Sequence, residues 1–535
     1  SAAASSGAGA GISIGLLMKF LRRKFTTSAS PYPAGVRRHA APRETASLLL
    51  TILAIASLLL LTAFASAVIA LGSYQLTIVV IGILVMVPVI WLVRVKDLLP
   101  IMFVYIFVIQ GIAEEFFKLR FAVWMGSALA VFFLARAMLE VTVFQRSNRD
   151  APAVTTPGSI AIFTVASVYL ACFFFGLAMG SGTVKQNISA LRFGLPMFGI
   201  LLAMYYIEIP RARMKFLWAM IVVIAVMQLP LVIYQHFFGM GLIGWDAVVG
   251  TFGHGMSPVL VLFSLVAMLY CVACWIRGIM PPWLVLLVFV IGMANILLGE
   301  VKAVALWLPL GLLLIMRKRV LKNILAFITY SCFIAIFMSA TFVAYKSMYW
   351  GDGAKMGSTV KQNLDKAGGY FFDPYEIKYG TGEVSRIASL YLWYRDPLPS
   401  AVNRLIGYGP GASQIGEGTG YGVVAMRYRP LQINATALSM LLWDVGILGA
   451  ISFVLMLVCG IGVGWRYIAS GHGTPREQAM VDTSMVMLVL LITSLVYNRT
   501  LLDTSTVQLL CFFCLGCIVQ YSRFGWQPAT LAKPA

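Results

Sequence analysis

Residues 256–276 read MSPVLVLFSLVAMLYCVACWI and end against Arg277, an uncharged run of 21 residues. As an α-helix it is about 30 Å long, the thickness of a bilayer's hydrocarbon core. Runs long enough, or nearly so, also fall near 46–71, 75–93, 98–113, 120–138, 158–180, 194–209, 216–238, 282–299, 303–316, 324–345, 436–464, 482–497 and 502–521. The spacing predicts about 14 transmembrane helices, with 98–113, 194–209 and 303–316 short enough to be tilted or re-entrant.

Composition agrees with this reading. Of 535 residues, 60% are hydrophobic and 11% charged, and the mean hydropathy is +0.88. Soluble domains carry about 25% charged residues. The numbers exclude a soluble globular, disordered or disulfide-scaffold protein. They predict an all-α fold, a polytopic helical membrane protein with one large extracytoplasmic loop. The eight cysteines lie in apolar runs, so even Cys511, Cys514 and Cys517 read as packing residues.

The net charge of +20 does not point to nucleic acid in such a chain, because basic residues collect in cytoplasmic loops. With the N-terminus inside and the spans alternating, cytoplasmic positions hold 24 Lys and Arg and the short outer loops hold six. Both termini are therefore expected in the cytoplasm. Residues 1–17 are small and featureless, Met18 reads as the natural start, and 12–25 is expected as a short interfacial helix. The expected organisation is a cytoplasmic segment 1–45, a first bundle 46–345, an outer loop domain 346–435, a last bundle 436–521 and a tail 522–535.

The loop carries ten Lys/Arg and seven Asp/Glu. Tyr370, Phe371, Phe372, Tyr375, Tyr391, Trp393 and Tyr394 are expected to build a small core there. Ser385 to Tyr394 reads as a helix capped by Ser385, with Arg386 and Trp393 on one face. Gly407-Tyr408-Gly409-Pro410-Gly411 reads as a turn.

Charges at the outer boundary are the candidate functional residues. Arg192 opens a span, Lys302 follows Glu300 between two spans, and Arg499 lies in a short turn with Asp503 four residues on. Arg386, Arg395, Arg404, Arg427 and Arg429 lie on the loop. Gathered over the bundle, such cations suit a phosphate or diphosphate, which guanidinium forks bind bidentately. The bland alternative for any one of them is a lipid-phosphate contact or a salt bridge. His254, in Gly250-Thr251-Phe252-Gly253-His254-Gly255, is a candidate proton acceptor or a helix cap. Outer carboxylates that suit a general base are Glu300, Glu383, Asp396, Glu417 and Asp444, each of which also suits a salt bridge. Metal and cofactor motifs are not found: there is no HExxH, no DxD in the loop, no P-loop and no GxSxG.

Three stretches resemble the O-antigen ligase and O-antigen polymerase superfamily of bacterial envelope proteins. One is Ser385-Arg386 with Trp393 and the 407–411 turn, similar to an Arg-led helix followed by G-x-G-x-G. The second is Trp443-Asp444-Val445-Gly446-Ile447-Leu448-Gly449, and the third is Gly250-Thr251-Phe252 with His254. The resemblance covers roughly 180–465. It implies a metal-independent glycosyltransferase of the bacterial inner membrane that takes sugar from a polyprenyl-diphosphate-linked oligosaccharide outside the cytoplasm. It implies arginines that bind the diphosphate; joined to the charge reading above, this gives expected catalytic roles for Arg386, Glu383 and His254, and substrate binding by Arg192, Lys302, Arg395, Arg404, Arg427, Arg429, Arg499 and Tyr408. The expected partners are that substrate, the lipid bilayer, and a chain-length regulator or flippase. Ligases acting on lipid A-core carry a His just before the post-loop span. Here Arg429 to Thr436 has none, and the family's Ser-Arg pair between two spans appears as Val301-Lys302. The chain therefore leans to a polymerase, with a ligase for another acceptor, or a transporter of lipid-linked sugars, as the alternatives.

Overall fold

The computed structural model describes residues 93–144, 156–238, 248–349 and 368–524, except 120, 181, 398–399 and 417–419, together with 59, 62 and 66. Contacts divide the chain into two compact units, Ser1–Val85 and Met86–Ala535. Every element labelled below lies in the second. The expected N-terminal segment and its interfacial helix, nearly all of the first two spans and most of the tail lie outside the described residues.

The second unit is helical. Its first half runs through α1 (Val95–Glu115), α2 (Phe121–Leu139), α3 (Pro157–Met179), α4 (Val184–Gly194), α5 (Phe198–Tyr206), α6 (Arg211–Phe237), α7 (Ser257–Ile276), α8 (Pro282–Leu298), α9 (Val304–Val320) and α10 (Ile324–Tyr349). The loop holds two hairpins, Ile377–Lys378 with Glu383–Val384 and Ile415–Gly416 with Gly420–Tyr421, and helices α11 (Arg386–Arg395), α12 (Ala401–Ile406) and α13 (Val423–Arg427). The chain returns through α14 (Ala437–Asp444), α15 (Gly446–Ala469), α16 (Pro475–Tyr497), α17 (Thr500–Asp503) and α18 (Ser505–Phe524).

Nine helices among the described residues are long and apolar enough to cross a membrane. The fold is that of a helical, multi-pass membrane protein. The expected runs 194–209, 282–299 and 303–316 form the shorter helices α5, α8 and α9. The run 436–464 is not one span. It breaks at Val445 into α14 and α15, because Gly446 takes φ +69° and turns the chain.

Helix α18 is the centre of the bundle, its membrane window wholly enclosed by protein. That position explains why it tolerates Thr506, Gln508, Gln520 and Ser522, which a lipid-facing helix would expose to hydrocarbon. Helices α5, α15 and α16 pack around it. The windows of α7 and α16 are mostly buried, whereas none of the window of α10 is buried. Cys511, Cys514 and Cys517 are free and packed within α18.

Polar contacts sort to two ends. At one end Arg213 pairs with Asp97, Arg136 Nε donates to Val93 O at 2.9 Å, Arg211 pairs with Glu477 at 2.9 Å, and Arg523 donates to Tyr205 O. Asp482 takes Arg277 at 2.6 Å and Arg317 at 2.7 Å. All these arginines belong to the set expected inside. The loop domain caps the other end.

The loop core differs from expectation. Val384, Ala388, Ala412, Val424, Leu431 and Ile433 are buried around Trp443, with Trp393 and Tyr408 packed against them. Of the seven aromatics expected in the core, Trp393 alone joins it. Phe372, Tyr375 and Tyr394 are exposed, and Phe371 stacks on Tyr497 of α16. Trp443 comes from α14, beyond the expected boundary, so this core belongs jointly to the loop and the returning helix.

Candidate functional site

Helix α11 begins where Ser385 holds an extended backbone and its Oγ accepts from Ala388 N at 3.0 Å. Arg386 is the first helical residue. A cation there opposes the helix dipole, at a cost of roughly 0.3–1 kcal/mol, so its position calls for compensating contacts. Its Nη1 donates to Ala435 O at 2.5 Å, and its guanidinium lies over the Tyr370 ring, 4.8 Å from the centroid. Two turns on, Trp393 Nε1 donates to Leu442 O at 3.1 Å. The shared face read from the sequence therefore lies along the segment 435–442.

The glycine turn locks onto the break between α14 and α15. Tyr408 N donates to Trp443 O at 2.9 Å and Gly409 N to Asp444 O at 3.1 Å. The Asp444 carboxylate accepts from Gly411 N at 3.0 Å and Ser413 N at 2.8 Å. Gly407 and Gly446 sit against each other at φ +85° and +69°. A Cβ on Gly407 would lie 2.4 Å from Asp444 O, and one on Gly446 2.5 Å from Gly407 N. Two of the three family-like stretches are thus one structural unit. Burial raises the Asp444 pKa to about 6, against the Gly411 and Ser413 N–H groups, which pull it down. Beside it lies a cavity of about 40 Å³ with Gln414 and Gln508 among its lining. That is room for about three waters, not for a sugar.

The cations form a chain rather than a ring. Arg499 pairs with Asp503 at 2.9 Å and reaches Asn434 Oδ1 at 3.5 Å, one residue before the carbonyl that holds Arg386. Arg192 ends α4, so it closes a short helix where the sequence suggested it opens a span. It lies over the Trp124 ring at 4.1 Å. Burial lowers its pKa to about 10, and the Asp503 charge opposes that fall. Arg192, Asp503, Arg499, Asn434 and Arg386 therefore follow one another across the loop end.

Other candidates are placed elsewhere. Arg427 pairs with Asp396 at 3.1 Å and lies over Tyr408, whose hydroxyl donates to the same carboxylate at 3.1 Å. Asp396 thus engages Arg427, and its sequence neighbour Arg395 lies over Tyr391. Arg404 donates to the carbonyls of Tyr394 and Asp396 and covers Trp393, and Arg429 lies over Tyr421. These contacts knit the loop. Glu383 is exposed and pairs with Lys378 at 3.0 Å, not with Arg386.

His254 is largely exposed, with Nδ1 3.8 Å from Glu115. Its turn is held by Gln228 and Gln235 of α6, which bond Thr251 and the backbone of Val249 and Gly250. Among the described residues, no hydrogen bond or ion pair ties His254 or Lys302 to Arg386. Nor do any three His, Cys, Asp or Glu converge there in a way that would hold a metal ion.

Of the partners Asp503, Asn434 and Tyr370, sequence reasoning assigned no role to Asn434, placed Tyr370 in the loop core and not against Arg386, and set Asp503 only beside Arg499. Only Asp503 left a signal, its i+4 spacing from Arg499. Comparison with models of known protein families and with curated proteins finds no match for this chain.

Proposed function

We propose that the chain is a membrane glycosyltransferase of the O-antigen polymerase/ligase type. It would polymerise polyprenyl-diphosphate-linked oligosaccharide repeat units on the face of the bacterial inner membrane away from the cytoplasm, with both termini inside. The observation that carries this reading is the junction of the 407–411 turn with the Asp444–Gly446 turn beside the arginine chain. Stretches far apart in sequence, chosen for their resemblance to that superfamily, pack as one unit.

In this reading the diphosphate lies along Arg192, Arg499 and Arg386. A hydroxyl of the acceptor unit attacks the anomeric carbon of the donor. The bond from that carbon to the phosphate oxygen breaks, and polyprenyl diphosphate leaves with the electron pair. Guanidinium groups aimed at the leaving diphosphate stabilise charge that grows in the transition state. Exposed Glu383, at the foot of α11, takes the proton of the attacking hydroxyl. The loop arginines that knit the loop hold α11 in place.

The test is transfer by purified variants. Arg386→Ala, Arg192→Ala and Arg499→Ala each remove a charge-assisted contact of about 1.5–3 kcal/mol, roughly 10- to 150-fold in rate. Lys355→Ala and Lys361→Ala, which lie outside the described residues and are given no role in the site, should stay within about twofold. Equal, mild losses across all five variants would overturn the assignment.

A further inference from the structure

At the basic end, α8, α9 and α10 leave an apolar groove of about 720 Å³. That is within the range of ligand pockets, roughly 300–1,000 Å³. Leu286 and Phe289 of α8, Leu312 of α9, and Ala326 and Phe333 of α10 line it. The membrane window of α10 is unburied, so the groove is open at the outer surface of the bundle. Arg319 is the one charged residue among those lining it. Its Nη2 donates to Ile276 O at 3.0 Å and its guanidinium lies 6.0 Å from the Trp275 ring, so it is held at the mouth. Lys318 and Lys322 are exposed beside it. The buried carboxylates at this end are already paired, Asp482 with Arg277 and Arg317 and Glu477 with Arg211.

We propose that this groove is a binding site for an anionic phospholipid, with one acyl chain in the apolar trough and the phosphate on Arg319, flanked by Lys318 and Lys322. Inside a bilayer an acyl chain gains little by leaving other acyl chains, so the headgroup must decide occupancy. Three cations and no lining carboxylate favour a net negative headgroup. A zwitterionic lipid would bring its own ammonium against them. The site lies at the opposite end from Arg386 and is independent of the transfer reaction.

The test is native mass spectrometry of the full chain in detergent, titrated with phosphatidylglycerol or phosphatidylcholine of identical acyl chains. The expected result is phosphatidylglycerol binding roughly tenfold or more tighter. Arg319→Gln with Lys322→Gln should abolish that difference. Ala326→Trp, which fills the trough and leaves the cations, should also weaken phosphatidylglycerol. Equal binding of the two lipids to the wild type overturns the proposal. So does a preference that survives the charge variant, or one that survives the filled trough, since the lipid would then sit on the basic surface and not in the groove. Unchanged melting of both variants separates lost binding from lost folding.

Discussion

Asp444 holds two backbone N–H groups of the glycine turn while enclosed by protein. Burial favours its neutral form and the N–H bonds favour the carboxylate; burial wins, and the pKa stands at about 6. An ordinary aspartate titrates near 3.9. The raised value means that the fold favours the protonated form. This contribution is fully present below about pH 4 and is lost as pH rises through about 6, amounting to roughly 3 kcal/mol. Asp444→Asn removes the titration. Melting of both proteins between pH 4.5 and 7.5 should show the wild type losing stability relative to the variant as pH rises. A difference that stays constant with pH would contradict the burial argument.

The turns at Gly407 and Gly446 join the loop to the bundle at the scale of elements. Alanine at Gly446 meets both a left-handed backbone and a Cβ 2.5 Å from Gly407 N. Strain of this kind costs about 1–3 kcal/mol, and overpacking adds a similar amount. Gly462, in the middle of α15, has open space at its Cβ and no left-handed φ. Gly462→Ala should therefore be neutral or stabilise by up to about 1 kcal/mol. Thermal melting in detergent should separate the two by several degrees, and similar melting would mean the junction is loose. The break between α14 and α15 was not legible in the apolar run 436–464, because hydropathy reads straight through Val445. Its only trace was the Asp444-x-Gly446 spacing. The helix at Arg386 was legible, because the Ser385 cap is a local signal. The loop core was not: counting aromatics favoured Phe372 and Tyr375, whereas Trp443 closes it from beyond the loop.

For the whole molecule, the buried cluster of Arg277, Asp482 and Arg317 ties α7, α9 and α16 together. Asp482→Asn leaves two arginines without their carboxylate and should cost about 3–5 kcal/mol. Asp503→Asn breaks a more exposed pair and should cost under about 1 kcal/mol. Thermal melting of the two variants ranks them, and equal costs would argue against a structural role for the basic end. The nine long apolar helices among the described residues were readable because length and hydropathy are local properties. Which cations converge was not, because Asp396, which engages Arg427, lies 31 residues from it in sequence. The most direct measurement of the central claim uses the purified chain in nanodiscs with polyprenyl-diphosphate-linked repeat units and EDTA, the products resolved on a gel. The account predicts a ladder of lengthening, lipid-linked products that disappears with Arg386→Ala. Unchanged substrate with the wild type, when the matching oligosaccharide is supplied, would contradict it.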